Sequence, residues 1–221
     1  PTREVVSRGK HILHRLDSGW TIHSHLRMEG SWRVHRASEA VPGASKIRAV
    51  LGTSDFTALG WSLGMLNVTR TADEGSLVGH LGPDILGADW DGDLAVANLR
   101  ASQGELASAL LDQRNLAGIG TMWASEGLFV GGLNPFARAS SFSDADLAGL
   151  LGRVKRLMEA SCRLAVPSST GARGASETTY VHGRRSRPCR RCGTLIAMRW
   201  SGPPTQERTI YFCLRCQGVA L

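Results

Sequence analysis

Four cysteines near the C-terminal end constrain the fold of this chain more than any other feature. Cys189, Cys192, Cys213 and Cys216 form the array C-x2-C-x20-C-x2-C. Each two-residue spacing makes a tight turn that directs two sulfurs at one point, and four thiolates complete the tetrahedral coordination of zinc. Because no position remains open for water or substrate, the array predicts one structural Zn2+ ion. Four unpaired or disulfide-linked cysteines would leave the doubled spacing unexplained.

The segment between the cysteine pairs has the pattern of a β-hairpin. Residues 194–198 and 208–212 read as strands, and Ser201-Gly202-Pro203-Pro204 supplies a turn. Arg208 lies five residues before Cys213, so the metal would hold the base of the strand that carries this guanidinium. Further arginines crowd the region: Arg184, Arg185, Arg187, Arg190, Arg191, Arg199 and Arg215. They predict a polyanionic partner, although a basic run alone is more often a solvated surface.

Length and composition set the class of protein. The 221 residues, 42% of them hydrophobic, allow one large or two ordinary domains with a proper core. A net charge of +7 and a pI of about 9.7 favour nucleic acid or another anionic surface. No stretch of apolar residues is long enough for a membrane span, so we expect a soluble, intracellular chain. Cys162 lies in an apolar stretch and is expected to pack in a core.

The hydrophobic pattern predicts an α+β chain in which strands precede helices. Residues 5–16 and 20–26 read as strands around the turn Asp17-Ser18-Gly19, and 46–51 and 63–68 as two more, which suggests a sandwich or barrel. Helical spacing follows at 94–99, 106–113 and 121–129. Ser143-Asp144-Ala145-Asp146 resembles a capping box before a longer helix, whose apolar face contains Leu147, Leu150, Leu151, Val154, Leu157 and Met158. The predicted divisions are a β-domain at 1–86, a helical domain at 87–166, a loop or linker at 167–185 and a zinc hairpin at 186–221.

A glycine-bearing turn separates two of the predicted helices. Gly118 and Gly120 precede Thr121, where the second helix begins. Glycines allow backbone amides to approach a phosphate closely, and a helix N-terminus adds partial positive charge. By itself such a turn is as often an ordinary connector between helices as an anion site.

Five segments carry motifs that occur together in one protein family. They are residues 7–11 (SRGKH), 23–32 (HSHLRMEGSW), 80–84 (HLGPD), 111–129, and the zinc hairpin with Arg208 and residues 213–217 (CLRCQ). Together they resemble the formamidopyrimidine-DNA glycosylase and endonuclease VIII family of base-excision repair enzymes over nearly the whole chain. The resemblance implies a β-sandwich, a helical domain with a helix-two-turn-helix motif, and a zinc finger.

The resemblance also implies an activity and a set of contacts to DNA. Family members extrude a damaged base from duplex DNA, cut its glycosidic bond and nick the strand by β,δ-elimination. Lys10 resembles the active-site lysine near the lesion phosphate, and Arg208 the zinc-finger arginine that clamps the flanking phosphates. Met28 resembles the residue that fills the vacated stack. Gly118, Gly120 and Thr121 would contact the backbone, whereas Glu126, also at a family position, is expected to have a structural role.

The N-terminal end departs from the family pattern. Members begin with Pro-Glu, whose proline amine attacks C1′ while the glutamate transfers protons. Here Thr2-Arg3-Glu4 follows Pro1, and Lys10 comes only nine residues after it, so Pro1 is not expected to be the nucleophile. Either a segment ahead of Pro1 carries the catalytic pair, or the protein is a catalytically silent binder of damaged DNA. We favour the first, because the missing strands would otherwise leave one face of the sandwich bare.

Two further departures concern the substrate. Thr121 stands where many relatives have an asparagine that binds phosphate. Trp61-Ser62-Leu63-Gly64 replaces the Arg-Arg-Phe-Gly with which the 8-oxoguanine branch invades the helix, so the resemblance favours the endonuclease VIII branch, which removes oxidised pyrimidines. Trp61 could act as an aromatic wedge, but a core position is expected. We expect a monomeric bacterial protein, cytoplasmic and nucleoid-associated, that binds damaged or abasic duplex DNA. A third hypothesis makes the hairpin a protein-interaction ribbon, with DNA affinity that does not fall as salt rises.

Overall fold

The structure is a computed structural model that describes residues 1–40, 45–174 and 177–220. The chain forms two compact units, Pro1–His80 and Leu81–Leu221. Within the described ranges, no helix has both the length and the apolar character needed to span a membrane.

The first unit contains two antiparallel sheets. Its strands are β1 (Thr2–Arg8), β2 (His11–Leu16), β3 (Trp20–His25), β4 (Ser31–Arg36), β5 (Ile47–Gly52), β6 (Phe56–Trp61) and β7 (Met65–Arg70). One sheet has the order β1-β2-β3-β7 and the other β4-β6-β5. The Trp32 indole N–H donates to Ser24 Oγ at 3.1 Å, which joins the sheets, and Leu13, Leu59 and Leu63 are buried. A 3-10 turn (Thr71–Asp73) and a short helix, α1 (Gly75–Val78), follow.

The β-rich character predicted for this region is confirmed, but the strand bounds differ. Residues 5–16, predicted as one strand, belong to β1 and β2, because Arg8 pairs with His11 and the chain reverses through Gly9 and Lys10. Gly9 adopts a φ of 58°, which suits a two-residue hairpin turn. The prediction also omitted β4 and β6. The apolar and polar residues of β4 do alternate, with Trp32 and Val34 between polar neighbours.

The second unit begins with a helical region. Its helices are α2 (Gly92–Ala101), α3 (Leu106–Leu111), α4 (Thr121–Gly131) and α5 (Asp144–Ser161), with a 3-10 turn at Ala139–Ser141. The capping box is confirmed, because Ser143 and Asp146 exchange side-chain and backbone hydrogen bonds. The predicted face of α5 packs into the core at Leu147, Leu150, Leu151, Val154 and Met158, while Leu157 is only partly buried. Those spacings bury one stripe of the helix.

A hairpin of β8 (Ala197–Ser201) and β9 (Arg208–Phe212) completes this unit. The second strand lies where it was predicted, while the first begins three residues later than expected. The prediction for Cys162 was wrong, since this residue is exposed. The reason is that α5 ends at Ser161, so Cys162 lies past the last turn that packs against the core. The predicted loop at 167–185 includes residues 175–176, which lie outside the described residues.

Candidate functional site

The four cysteines of the array converge in the second unit. Their sulfurs all lie within 4.8 Å of one another, with Cys192 and Cys213 at 3.4 Å and Cys189 and Cys216 at 4.0 Å. These distances are far longer than the ~2 Å of a disulfide. Gly193, with a φ of 77°, allows the first turn to close. The structure therefore brings together a four-sulfur cluster that could hold one metal ion.

The surroundings of the cluster affect its thiols differently. Hydrogen bonding to Thr194 lowers the pKa of Cys192 to about 6, whereas burial raises the pKa of Cys213 and raises that of Cys216 to about 12. Crowded sulfurs of this kind become thiolates together only when a cation neutralises them. The cluster packs on Phe129 of α4, so a metal here would brace the hairpin against the helical core.

Gln217 links the second cysteine pair to the chain just after α4. Its side-chain oxygen accepts from the Cys213 amide at 2.9 Å, and its amide group donates to the Leu133 carbonyl at 2.9 Å. Gln217 is buried, so both bonds are shielded from water. The hairpin is thus held at its cysteine end by side-chain hydrogen bonds as well as by the cluster.

Arg208 is the first residue of β9, at the end of the hairpin away from the cysteines. It is exposed, and its guanidinium donates to the backbone carbonyl of Glu207 at 3.1 Å. Ser201 lies directly opposite on β8. The chain between these residues passes through Gly202 with a φ of 118° and Thr205 with a φ of 70°. The guanidinium therefore remains accessible to an anion from solvent.

The glycine-bearing turn leads into α4, for which no side chain among the described residues provides an N-cap hydrogen bond. Gly118 has a φ of 103°, and its amide donates to Gln113 Oε1 at 3.1 Å. Gln113 also donates to the Ile119 carbonyl at 3.0 Å. Gly118 therefore shapes the turn, whereas the helix N-terminus at Gly120 and Thr121 supplies the partial positive charge that suits a phosphate.

Glu126, in the middle of α4, is fully buried and binds the loop that leads to the hairpin. Its carboxylate accepts from the amides of Tyr180 (2.8 Å), Val181 (2.9 Å) and His182 (2.8 Å), and from the Ser169 hydroxyl. These donors satisfy a charge that would otherwise be costly to bury. The structural role expected for Glu126 thus takes a definite form, in which it attaches this loop to α4.

A cavity of about 470 Å³ lies beside the segment that Glu126 holds. Met122, His182, Arg184 and Arg187 contribute to its lining. Burial lowers the pKa of His182, whose ring packs edge-on against Tyr211 with centroids 5.1 Å apart. Two guanidinium groups on this wall give the cavity a positive character suited to an anionic group.

Lys10 lies in the β1–β2 turn of the first unit, where it is exposed. Next to it is a cluster of three histidines on neighbouring strands, His11, His23 and His25. The His11 and His23 rings are stacked with centroids 5.0 Å apart, and those of His11 and His25 meet edge to face at 4.8 Å. The histidine cluster therefore lies next to the turn that carries Lys10, since His11 is the residue that follows it.

Hydrogen bonds determine which ring nitrogens carry protons in the histidine cluster. Asn67 Nδ2 can only donate, so His23 Nδ1 accepts its bond at 3.2 Å. His23 Nε2 then donates to His11 Nδ1 at 2.7 Å. Burial lowers the pKa of all three rings. For His11, burial together with the neighbouring His25, His23, His80 and Lys10, whose positive charges would repel its own, brings the pKa to about 4. The rings are therefore neutral near pH 7.

The histidine cluster makes stability depend on pH in a direction that follows from these shifts. The folded-state pKa of His11 is about 4, below its ordinary 6.5, so stability is complete above pH 6.5 and falls between 6.5 and 4. Each unit of pKa shift corresponds to about 1.4 kcal/mol, so the free energy of unfolding contributed by His11 and lost on acidification is at most roughly 3 kcal/mol. Because the His11 ring is partly in contact with water, we expect the actual loss of stability to be about 1–2 kcal/mol. Denaturant unfolding at several pH values should show this loss, and His11→Gln should diminish it. His14→Gln, outside the histidine cluster on the same strand, should preserve most of it.

Met28 and Trp61 have different environments in the first unit. Met28 is 97% exposed at the tip of the turn after β3, where Arg27 adopts a φ of 55°. Trp61 is half-buried, with the Arg33 guanidinium 5.2 Å from its ring centre. Leu63, two residues later, is only 1% exposed. An exposed Met28 is free to contact a partner, whereas Leu63 is committed to the core.

Sequence reasoning identified the cysteines, the glycine turn and the exposed Lys10, Met28 and Arg208. It gave no role to the histidine cluster, although His23 and His25 alternate on one strand and so share a face. Nor did it recognise how Glu126 holds its loop. Ser169 lies 43 positions from Glu126 in the chain, so the hydrogen bond between them is evident only after folding.

Family comparisons agree with this architecture. Residues 2–60 match the formamidopyrimidine-DNA glycosylase N-terminal domain, and residues 81–171 match the H2TH domain of the same enzymes. A probable endonuclease 8 2 of Streptomyces coelicolor is 46% identical over 97% of this chain and 78% of its own length. The Nei2 DNA-(apurinic or apyrimidinic site) lyase of Mycolicibacterium smegmatis is 40% identical over 97% of this chain and 81% of its own.

Solved structures show the same fold. MutM (Fpg) from Thermus thermophilus superposes with a TM-score of 0.80 at 27% identity, over all of this chain and 84% of that one. Lactococcus lactis Fpg bound to DNA containing an abasic site gives a TM-score of 0.81 at 22% identity, over 99% and 82% of the two chains. The chain belongs to the formamidopyrimidine-DNA glycosylase and endonuclease VIII family of base-excision repair glycosylases and abasic-site lyases. Among the relatives just described, those of the endonuclease 8 2 type share 40–46% of its residues.

Proposed function

We propose that this protein removes oxidised pyrimidines from duplex DNA and cleaves the resulting abasic site by β,δ-elimination. The observation that carries the proposal is the β8–β9 hairpin of this chain, a member of the family. The hairpin has the four-cysteine cluster at one end and the accessible guanidinium of Arg208 at the other. Arg208 would clamp the phosphates beside the extruded nucleotide, since its planar fork can donate two parallel hydrogen bonds. The net charge of +7 favours the same polyanionic partner.

The metal proposed for the cysteine cluster is zinc. A tetrahedron of sulfurs about 2.3 Å from zinc has edges of about 3.8 Å. The two sulfur pairs given above, at 3.4 and 4.0 Å, lie on either side of that length. The sulfurs would fill the coordination sphere, so the ion would hold the hairpin in place and take no part in the chemistry.

Side chains of the first unit would also contact DNA. Lys10 would neutralise the lesion phosphate from its exposed turn, and Met28 would enter the gap left by the extruded nucleotide. The high exposure of an apolar side chain at a turn supports this role for Met28. In the second unit, Gly120 and Thr121 would bind a backbone phosphate at the start of α4, while Gly118 shapes the turn.

The preference for pyrimidines depends on residues 61–64. In this segment Leu63 occupies the position of the helix-invading phenylalanine of the 8-oxoguanine branch, and it is buried in the core. No arginine is present in the segment to pair with an orphan base. Both observations support the endonuclease VIII branch.

The alternative is a catalytically silent protein that binds damaged DNA. The gene product, translated from its natural start, should be incubated with duplexes containing thymine glycol, 8-oxoguanine or an abasic site, together with borohydride. A covalent adduct formed with thymine glycol in preference to 8-oxoguanine supports the proposal. Adducts formed only with 8-oxoguanine would refute oxidised pyrimidines as the substrate class. Tight, lesion-selective binding without any adduct establishes the silent binder instead.

Arg208→Ala should weaken binding to a duplex with an abasic-site analogue by about 1–3 kcal/mol, because a charged hydrogen bond to phosphate is lost. The fold and metal content should be unchanged, since Arg208 lies outside the core. Fluorescence anisotropy measures the affinity, and circular dichroism checks the fold. Arg163→Ala removes the same charge from an exposed site after α5 and should have a much smaller effect. Equal losses of DNA affinity in the two variants would show that Arg208 contributes only its positive charge and makes no specific contact with a phosphate.

A further inference from the structure

Glu105 makes two contacts across to the hairpin that the proposed function does not explain. It is the residue that precedes α3, and its carboxylate reaches β8. One oxygen accepts from the Arg199 guanidinium at 2.7 Å, and the other from the Ser201 hydroxyl at 2.7 Å. A residue 94 positions away from Arg199 in the chain thus attaches the strand to the helical core.

These contacts lie at the end of the hairpin that carries Arg208. Ser201 is the last residue of β8 and pairs directly with Arg208, the first residue of β9. Side chains of a directly opposed pair share one face of a sheet, and so do side chains two residues apart. Arg199, Ser201 and Arg208 therefore share the face of the hairpin that turns toward Glu105.

Aromatic packing reinforces the same attachment. The Arg199 guanidinium lies 3.4 Å from the centre of the Phe136 ring, and Phe136 meets Phe212 of β9 edge to face at 4.8 Å. Arg199 thus holds Glu105 on one side and an aromatic ring on the other. A planar guanidinium suits both interactions at once, because its N–H groups donate in its plane while its face covers the ring.

The end of the hairpin that carries Arg208 lies far from the cysteine cluster. Arg208 precedes Cys213 by five residues, or about 17 Å of extended strand. An isolated two-stranded hairpin has little stability in water, and the loop beyond Ser201 contains two residues with positive φ. A metal at the cysteines would fix one end, and the contacts of Glu105 fix the other.

We infer that Glu105 is a positioning residue for Arg208, acting through Ser201 and Arg199 to hold the guanidinium where a DNA phosphate can meet it. This inference rests on the proposed role of Arg208 in phosphate binding. Glu105 itself touches no DNA in this scheme, and its negative charge would oppose DNA binding if it acted only through electrostatics. The inference therefore predicts that removing a negative charge weakens the complex.

The experiment compares Glu105→Gln with Glu159→Gln. Both remove one negative charge from the second unit, and Glu159 pairs only with Lys155 along the exposed side of α5 in the contacts of the described residues. Glu105→Gln should weaken binding to an abasic-analogue duplex by about threefold to tenfold. Glu159→Gln should leave the affinity unchanged or slightly raised. A gain in affinity from Glu105→Gln would overturn the inference.

A double-mutant cycle separates positioning from a general structural role. In an Arg208→Ala background, Glu105→Gln should cause no further loss, because the residue it positions is gone. An equal loss in both backgrounds would overturn the positioning role while leaving the function of Arg208 intact. If Arg208→Ala alone leaves the affinity unchanged, the proposed phosphate contact fails, and the inference fails with it.

A second variant keeps the test decisive if Glu105→Gln folds poorly. Ser201→Ala removes one hydrogen bond and no charge, and should weaken binding by about twofold to threefold with the same dependence on Arg208. Bound zinc, measured by metal analysis, should be unchanged in both variants. Loss of zinc would place their effect at the cysteine end of the hairpin and overturn the inference.

Discussion

Glu126→Ala is expected to lower the free energy of unfolding of the second unit by about 3–5 kcal/mol. The carboxylate of Glu126 is fully buried and accepts hydrogen bonds from three backbone amides and a hydroxyl. Alanine would leave these donors without a partner in a region that water does not reach, and it would also leave a void. Urea unfolding followed by circular dichroism measures the change.

The matched control is Glu159→Ala, which removes an exposed carboxylate from the neighbouring helix α5. It should alter stability by about 0.5 kcal/mol or less. Glu126→Gln should fall between the two, because an amide keeps the volume and one acceptor but directs N–H groups at other donors. If Glu126→Ala costs no more than its control, the loop at residues 180–182 does not depend on this carboxylate.

Cys192→Ser should unfold the hairpin region and release its metal. Structural zinc sites contribute about 10–16 kcal/mol to the folding of isolated fingers, and a site with three sulfurs loses much of that contribution. The hairpin shares the core around Phe129, so the loss should extend to the residues packed there. Metal analysis and amide hydrogen exchange should show lost zinc together with fast exchange in β8 and β9.

Cys162→Ser is the control for this experiment, because Cys162 is exposed and outside the cluster. It should keep one zinc per chain and the exchange pattern of the parent protein. Chelation of the metal should reproduce the effect of Cys192→Ser in the parent protein. Unchanged zinc content in Cys192→Ser would refute the proposed set of four ligands.

Local patterns were sufficient to predict the helical part of the fold. The capping box at Ser143 and the apolar spacing after it depend on neighbours within a few residues, and both appear in α5 as expected. The cysteine array is similarly local, since each pair forms its own turn. The strands were harder, because a strand is defined by a partner elsewhere in the chain and β4 and β6 pair with each other.

In the candidate site too, some residues are indicated by local sequence patterns and others only by the tertiary structure. Spacing and charge were enough to single out the cysteines and Arg208 as candidates, because metal ligation and phosphate binding would require particular residue types. Glu105 and Glu126 carry no such pattern, and each meets its partners 43 or more positions away. The neutral state of His11 also needed the structure, since it depends on burial and on a ring from another strand.

The sequence by itself determined the four-cysteine cluster, the order of β-rich and helical regions, and the cationic character of the chain, because these depend on residue type and short spacing. Tertiary structure alone decided that Cys162 is exposed, that Leu63 is buried, and which carboxylates hold the hairpin and its loop. Burial and long-range hydrogen bonds arise only when distant segments pack together, and no local pattern encodes which segments meet.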